Sequence, residues 1–330
     1  MAKATSSVTG WRRRKAGRKS MRIRFSKLAR SARPSPRRLA AMDWRPAHFP
    51  RPIPRPDGLP NLRAAVSTRS PCWILEPIRR EDCPCSSPML SPTTVPCWPI
   101  SESGNRDYPA GTQRRYSNPS IGLFGYLAAR SMGQPFDVLM EQKLLPALGL
   151  KNTFVHVPES RMKDYAYGYA KADKPTRVAS GTRDAEAYGI KTTAPDLLRF
   201  VELNIDSASL APDFQKAVAA THTGYYRVGA NNQGLGWEIY TYPVTLKTLL
   251  AGNSSDMALK SHKIEKFDPP HAPSADMFIN KTGSTKGFGA YAAFVPAKKT
   301  GIVLLANRNY PNDERIKAAY RILQAIDKSE

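Results

Sequence analysis

Proline is concentrated in the first third of the chain, and this limits what that part can fold into. The first 110 of 330 residues contain 16 of the 29 prolines, with 22 Lys and Arg against 7 Asp and Glu. Proline lacks an N–H donor and interrupts helices and central strands. The segment also shows no apolar period of 3.6 or 2 residues, so it cannot bury enough surface to offset its ordering entropy. We therefore expect the Arg- and Pro-rich residues 1–107 to be disordered.

The four cysteines, all in this first segment, do not predict a metal or disulfide site. They stand at positions 72, 83, 85 and 97. One residue separates Cys83 from Cys85, which is closer than a usual zinc pair, and His48 is the only histidine in the segment. We interpret these cysteines as incidental thiols.

The net charge of +23 would ordinarily suggest nucleic acid or an anionic membrane as a partner. Most of it, +15, belongs to the first 110 residues. They offer no interleaved aromatic platform and no known nucleic-acid-binding motif, so they predict only non-specific, salt-sensitive phosphate binding. No apolar run of about 18 residues predicts a transmembrane helix. Residues 28–42, the best candidate for a secretory signal, are interrupted by four arginines. We expect no specific nucleic acid, no membrane, and a cytoplasmic location if the chain is expressed.

From about Tyr108 the sequence has the periodicity of a globular domain that runs to the end of the chain. A first helix is predicted with Asn118 as its N-cap, Pro119 in its first turn and Gly133 as its stop. A second helix is predicted at 136–148 before a glycine, and a third begins near residue 195.

The last third of the chain favours a sheet covered by a helix. A short strand is predicted at 234–240. Three further apolar runs of strand length are separated by turn residues, at 277–282, 289–295 and 301–307. They predict a three-strand antiparallel meander. A final helix follows, with Asn312 as a possible cap and apolar residues at helical spacing, so the predicted fold class is α+β.

Two short motifs lie at informative places in this domain. Tyr116-Ser117-Asn118 precedes the first predicted helix, and Lys281-Thr282-Gly283-Ser284 ends the first strand of the meander. Four longer strings accompany them: Ser120-Ile121-Gly122-Leu123-Phe124-Gly125, Leu145-Pro146-Ala147-Leu148-Gly149-Leu150, Tyr188-Gly189-Ile190-Lys191 and Asn309-Tyr310-Pro311-Asn312. Through these strings, residues 108–327 resemble the class C β-lactamases of the serine β-lactamase and penicillin-binding-protein-like superfamily.

The resemblance implies an antiparallel sheet with flanking helices beside an all-helical region, here without the family's amino-terminal part. It implies a serine hydrolase that opens the cyclic amide of β-lactam antibiotics through an acyl-enzyme, with neither cofactor nor metal. It also implies a periplasmic location for the family and a monomeric state if this chain folds.

Three residues are implied to lie at the reacting end of the site. Tyr116 matches the tyrosine that helps to move the proton of the nucleophile, and Asn118 matches the residue that binds the substrate's amide side chain. Lys281 matches a group that faces the substrate carboxylate, and an ammonium group also favours a nearby phenolate. We expect all three in one cleft, with Lys281 about 3 Å, or one water, from the Tyr116 hydroxyl.

Five more residues are implied to bind substrate. Thr282 faces the substrate carboxylate, and Ser284 supplies a backbone N–H to the oxyanion hole. Gly283 lets the ligand approach the strand edge closely, because it has no side chain. Asn309 and Asn312 match further polar groups near the carboxylate.

Purely structural interpretations stand beside these roles. Asn118 is expected to serve both as a cap and in the site, and for Asn312 the two interpretations weigh equally. Tyr116 can pack at a helix start and Lys281 can be a solvated lysine, but the resemblance favours the site for both.

The family's nucleophile is absent from its expected place. It is the serine of an S-x-x-K string before the tyrosine motif, where the lysine one helical turn later assists proton transfer. None of the lysines before Tyr116 has a serine three positions earlier. Ser160-Arg161-Met162-Lys163 has the pattern but follows the motif on a polar segment, so we interpret it as a chance match. We predict a β-lactamase homologue that is catalytically incomplete and inactive as it stands.

Two explanations of residues 1–107 stay open: out-of-frame translation of a GC-rich gene that rejoins the frame near Tyr108, and a genuine fused extension. The nucleotide sequence separates them, since shifting the upstream frame should reveal S-x-x-K. Without the family's opening strands, residues 301–307 should lie at an unpaired edge and make the chain aggregation-prone. Two alternative functions rank lower: a nucleic-acid-binding protein acting through its basic arm, and a serine esterase or peptidase that needs the same absent serine.

Overall fold

The computed structural model describes residues 108–170, 174–181 and 183–328. The predictions for residues 1–107, including their disorder and their cysteines, lie outside the described residues. The helices are α1 (Asn118–Ser131), α2 (Phe136–Leu139), α3 (Leu145–Ala147), α4 (Asp184–Ala187), α5 (Ala194–Ile205), α6 (Pro212–His222), α7 (Leu246–Gly252), α8 (Ser255–Leu259) and α9 (Asn312–Asp327). A π-helical turn (Met140–Leu144) joins α2 to α3 within the predicted second helix.

The strands form one large sheet and one two-stranded ribbon. They are β1 (Gln113–Arg114), β2 (Gly168–Tyr169), β3 (Pro175–Thr176), β4 (Gly224–Val228), β5 (Asn231–Gln233), β6 (Glu238–Thr241), β7 (His262–His271), β8 (Met277–Ser284), β9 (Gly289–Val295) and β10 (Thr300–Ala306). The large sheet has the order β1-β7-β4-β5-β6-β8-β9-β10, and its pairings are antiparallel. The predicted α+β class and the predicted meander are therefore confirmed.

Helices cover both faces of the meander because its side chains alternate between two cores. On β9, Tyr291 packs with Ile316 and Leu323 of α9 on one face. Phe294 packs with Val201 of α5 on the other. This alternation explains why the sequence shows continuous apolar runs here, since a strand buried on both faces has no polar side.

The start and end of α1 follow from local chemistry, with one correction to the prediction. Ser117, not Asn118, is the N-cap: its hydroxyl accepts a hydrogen bond from the Ser120 N–H at 3.3 Å. Asn118 is already the first helical residue. At the other end Gly133 has a φ of 69°, a left-handed conformation that only glycine adopts without strain, so this predicted stop is correct.

The remaining predicted elements are present with shifted bounds. The short strand expected at 234–240 is the four-residue β6, which begins at Glu238. The helix expected near residue 195 is α5, capped by the Thr193 hydroxyl. Within the described residues, every helix is too short or too polar to cross a lipid bilayer.

Candidate active site

Tyr116 lies on a short link between the sheet and the helical region. β1 ends at Arg114 and pairs with β7, whereas α1 begins at Asn118, so Tyr116 is fixed from both sides within a few residues. Its side chain is 38% exposed. The ring of Tyr116 therefore stays accessible to a ligand.

The predicted substrate-facing motif occupies an open stretch of strand edge. β6 pairs with β8 only as far as Asn280, which lies opposite Glu238, the first residue of β6. Beyond this point Lys281–Ser284 keep β9 on one side. In the described part of the chain they have no strand on the other side. An open edge presents free backbone groups and is a place where an extended ligand can bind.

Tyr116 and Lys281 are brought together although 165 positions separate them. The Lys281 ammonium nitrogen lies 5.7 Å from the centroid of the Tyr116 ring. Within the described residues, the Lys281 ammonium group instead donates a hydrogen bond to Glu238 Oε1 at 3.0 Å. The expected direct hydrogen bond from Lys281 to the Tyr116 hydroxyl is thus replaced by an ion pair.

Glu238 is a site residue that the sequence did not reveal. Its side chain is only 8% exposed, and Arg114 Nη2 lies 4.0 Å from the same oxygen that binds Lys281. The other oxygen, Oε2, is buried and has no hydrogen-bond partner among the described residues. Two cations thus share one carboxylate and leave a net positive charge of about one beside the open edge. The pairing of β6 with β8 places Glu238 opposite Asn280 and so beside Lys281, whereas Arg114 comes from β1.

Arg315 of α9 is a second residue that the sequence did not reveal. It is 2% exposed and lies beneath the last residues of β8. Its Nη1 donates to the carbonyl oxygens of Gly283 and Ala290, and its Nη2 donates to the Ser284 hydroxyl at 2.7 Å. Burial lowers the pKa of Arg315, yet a guanidinium stays charged at any physiological pH. This buried cation holds the end of β8 to the terminal helix.

Asn312 does not cap α9. The N-cap position is Pro311, and the Asn312 amide instead donates to the backbone oxygen of Asn253 at 2.8 Å. The cap interpretation is therefore wrong, while the side chain ties the start of α9 to the end of α7. Asn309 is exposed in the loop before α9, and it forms no hydrogen bond with the other predicted residues in the described ranges.

Gly283 and Thr282 lie on β8 beyond its pairing with β6, with β9 as their neighbouring strand. A methyl group added at Gly283 would meet Ala290 Cβ at 3.5 Å, which is ordinary contact. The packing of the protein itself therefore does not require glycine here. Thr282 is half-buried opposite Tyr291. Burial raises the pKa of the Tyr291 hydroxyl well above its ordinary value, so this neighbouring phenol is no candidate base.

The Ser160-Arg161-Met162-Lys163 string lies on an exposed surface turn and not on a strand edge. Ser160 sits in a 3-10 turn, Glu159–Arg161, that follows Pro158, and both Ser160 and Lys163 are exposed. The nearby Arg161 pairs with Asp164 at 3.0 Å, as surface charges commonly do. This placement fits the chance-match interpretation. Elsewhere in the described ranges, no group of three or more His, Cys, Asp or Glu side chains could hold a metal ion.

Comparison with known proteins places this geometry in one family. A family model described as "Beta-lactamase" matches residues 101–327. A β-lactamase of Pseudomonas fluorescens is 60% identical over 218 residues, which are 66% of this chain and 61% of the relative. The chain therefore spans about three fifths of that relative's length.

Solved structures agree with this assignment. A D-alanine carboxypeptidase AmpC from Burkholderia cenocepacia is 51% identical with a TM-score of 0.67, covering 68% of this chain and 64% of that one. A class C β-lactamase in complex with cefoxitin is 44% identical with a TM-score of 0.67, covering 72% and 67%. On fold, motif placement and identity alike, the chain belongs to the β-lactamase family and is a homologue of its class C members.

Proposed function

We propose that this chain carries the carboxylate-binding half of a β-lactam site and is catalytically incomplete as it stands. The observation that supports this best is the placement of Lys281 at an open strand edge, beside the exposed ring of Tyr116. The family reaction is hydrolysis of the β-lactam ring through a serine acyl-enzyme. β-Lactam substrates fit the family, and their binding by this chain is the proposal.

The electrostatics at the edge suit an anionic ligand. Arg114 and Lys281 together carry two positive charges against the single negative charge of Glu238. A ligand carboxylate at the edge supplies the missing negative charge and accepts a hydrogen bond from the ammonium group. The hydroxyl of Thr282 and the free backbone of the strand edge orient the ligand.

Glu238 holds the lysine in place. An isolated lysine side chain loses much rotamer freedom when it binds a ligand, and its ion pair with the buried carboxylate fixes it beforehand. The same pairing weakens the field of Lys281 at Tyr116, because the carboxylate offsets part of the ammonium charge. In this chain Lys281 therefore contributes more to ligand orientation than to activation of the phenol.

Incompleteness follows from the nucleophile motif. None of the lysines before Tyr116 has a serine three positions earlier, and Ser160 lies exposed in a surface turn. Serine hydrolases stripped of their nucleophile lose about a millionfold in turnover. We expect the purified chain to bind β-lactams without hydrolysing them.

Binding and turnover are measured separately. Ligand-observed NMR with a cephalosporin should detect weak binding, while a chromogenic cephalosporin should show no hydrolysis above background. Lys281→Ala should weaken binding because it removes the ammonium group. Glu238→Gln keeps an amide oxygen that can accept the hydrogen bond from Lys281 and raises the net charge at the edge, so it should strengthen binding at low salt. Lys216→Ala, which breaks a remote surface ion pair with Asp213, serves as the matched control.

Several outcomes contradict the proposal. Turnover within about a hundredfold of an intact family member would refute incompleteness, and so would a covalent acyl adduct on Ser160 found by mass spectrometry. Equal effects of Lys281→Ala and Lys216→Ala would refute the carboxylate site. A peptide ending in D-alanine belongs in the same assay, since the Burkholderia cenocepacia structure is titled a D-alanine carboxypeptidase.

A further inference from the structure

A cavity of about 220 Å³ opens at the end of the large sheet opposite the edge at Lys281–Ser284. Phe278, the second residue of β8, lines this cavity, whereas Lys281 begins the open edge. A strand rises about 3.4 Å per residue, so the two positions lie about 10 Å apart along β8. Side chains alternate along a strand, so Phe278 and Lys281 also point to opposite faces of the sheet. The cavity is therefore distinct from the candidate active site.

The floor of the cavity is apolar and belongs to the core of the protein. Phe278 and Val295 are each 3% exposed, and Leu323 of α9 is 7% exposed. They belong to one core cluster, against which the cavity-lining Tyr242 and Val244 pack. Ligand pockets are typically built in this way, with apolar side chains beneath and a few polar groups at fixed places. An aromatic ring on this floor would bury its apolar surface against these side chains.

Two hydrogen bonds to α9 hold the wall of the cavity in place. β6 ends at Thr241, and the wall is formed by the residues that follow. The Tyr320 hydroxyl donates to the Val244 carbonyl oxygen at 3.2 Å, and the Tyr242 hydroxyl donates to the Asp327 carboxylate. Burial and the neighbouring Asp327 raise the pKa of Tyr242 to about 12, so this phenol stays protonated and keeps its hydrogen bond. The cavity is therefore preformed, and a ligand does not have to order the wall when it binds.

The rim of the cavity carries a net positive charge. Lys298 and Lys328 line it together with one carboxylate, Asp327. Asp327 Oδ1 lies 3.6 Å from the Lys298 ammonium nitrogen, and Oδ2 accepts the hydrogen bond from Tyr242. The carboxyl end of α9 adds about half a negative charge. Two ammonium groups outweigh these negative charges, so the rim favours an anion, and Gln324 offers a further amide donor.

We propose that this cavity binds a small aromatic carboxylate, with its ring on the apolar floor and its carboxylate beside Lys298 and Lys328. The size fits, because an apolar cavity of about 150 Å³ holds benzene and the additional volume here suits one carboxylate. Both lysines stay in contact with water, since the Lys298 side chain is 40% exposed and Lys328 is exposed. The carboxylate therefore keeps part of its hydration and avoids the free-energy cost of a fully buried charge. Binding here does not depend on the proposed β-lactam site.

The test is fluorine NMR of para-fluorobenzoate in the presence of the full 330-residue chain. The fluorine line of this small aromatic carboxylate broadens on binding, so the measurement needs only dilute protein. We expect saturable binding with a dissociation constant of about 1 mM, which is reasonable for a ligand of this size. The neutral para-fluorobenzamide has nearly the same shape without the charge, so it should bind at least about fivefold more weakly.

Two matched pairs of variants locate the binding. Gln324→Trp places a large side chain at the exposed rim and should weaken binding about tenfold, whereas Ala325→Trp, at an exposed position outside the cavity lining, should not. Lys298→Gln removes a rim charge, so it should weaken binding of the acid about fivefold and leave binding of the amide unchanged. Lys299→Gln removes a neighbouring charge that does not line the cavity and should have little effect. Circular dichroism of each variant checks that its fold is retained.

Lys281→Ala separates the cavity from the strand edge, which also suits a carboxylate. If the probe binds in the cavity, this substitution leaves its binding unchanged. Loss of binding in Lys281→Ala but not in Gln324→Trp would place the probe at the strand edge, overturn the cavity site and support the proposed function. Equal binding of the acid and the amide, equal effects within either matched pair, or the absence of saturable binding up to about 10 mM would also overturn the cavity site.

Discussion

Replacing Arg315 by methionine tests whether a buried cation holds the site strand to the terminal helix. The guanidinium is 2% exposed and donates to the carbonyl oxygens of Gly283 and Ala290 and to the Ser284 hydroxyl. Methionine fills a similar volume but cannot donate a hydrogen bond. Ser284 is exposed and can turn to water, so the loss falls on two partly buried carbonyls.

The magnitude follows from those two groups. An unsatisfied buried carbonyl costs about 1–3 kcal/mol. Removing the guanidinium also removes the free-energy cost of burying its charge, which offsets part of this loss. We expect a net loss of about 2–3 kcal/mol in the free energy of unfolding. For a urea m-value near 2–3 kcal/mol/M, this lowers the unfolding midpoint by about 1 M. Arg315→Lys keeps the charge and one donor group, so its loss should be smaller.

Pulse proteolysis across a urea series suits this chain, because it needs only dilute protein. Arg321→Met, on the same helix but exposed, is the matched control and should leave the midpoint unchanged. If Arg315→Met matched the parent chain in stability, the buried cation would add nothing over an apolar side chain, and its proposed hold on the strand would be refuted. Buried charges in other proteins have given that result.

Two further predictions concern stability. Burial lowers the pKa of His222 from 6.5 to about 4, so the unfolded chain binds a proton that the folded chain does not between these pH values. The free energy of unfolding should therefore fall as pH drops from 6.5 to 4, by up to about 3 kcal/mol, and His222→Gln should lose that part of the pH dependence in the same assay. The open edge of β10 should also make the isolated chain poorly soluble. Sedimentation velocity should therefore show large species. A monomer that melts cooperatively would contradict this prediction.

The sequence predicted the elements of the sheet because local pattern decides them. The continuous apolar runs of β8, β9 and β10, separated by turn residues, indicated the meander to within a residue or two. Tyr116 and Lys281 were predicted to converge, and the structure places them side by side. That expectation came from the family resemblance, since spacing alone carries no information about two residues 165 positions apart.

The sequence misassigned the caps of α1 and α9, each for a different reason. Ser117 and Asn118 are adjacent cap formers, and the strand-like φ and ψ of Ser117 decide in its favour. Asn312 is a good cap former, but it is already the first residue of α9, and its side-chain amide donates to the backbone oxygen of Asn253, 59 residues earlier in the chain. Local sequence preferences carry no information about a hydrogen-bond partner so distant in the chain.

The sequence by itself determined the family, the α+β class and the absence of an S-x-x-K string before Tyr116, because each is written in short local patterns. Only the tertiary structure decided what surrounds those patterns. It paired Glu238 with Lys281 and placed Arg315 beneath the end of β8. The physical reason is the same in each case: strand neighbours and buried charge partners come from distant parts of the chain, and their pairing depends on the order of strands in the sheet.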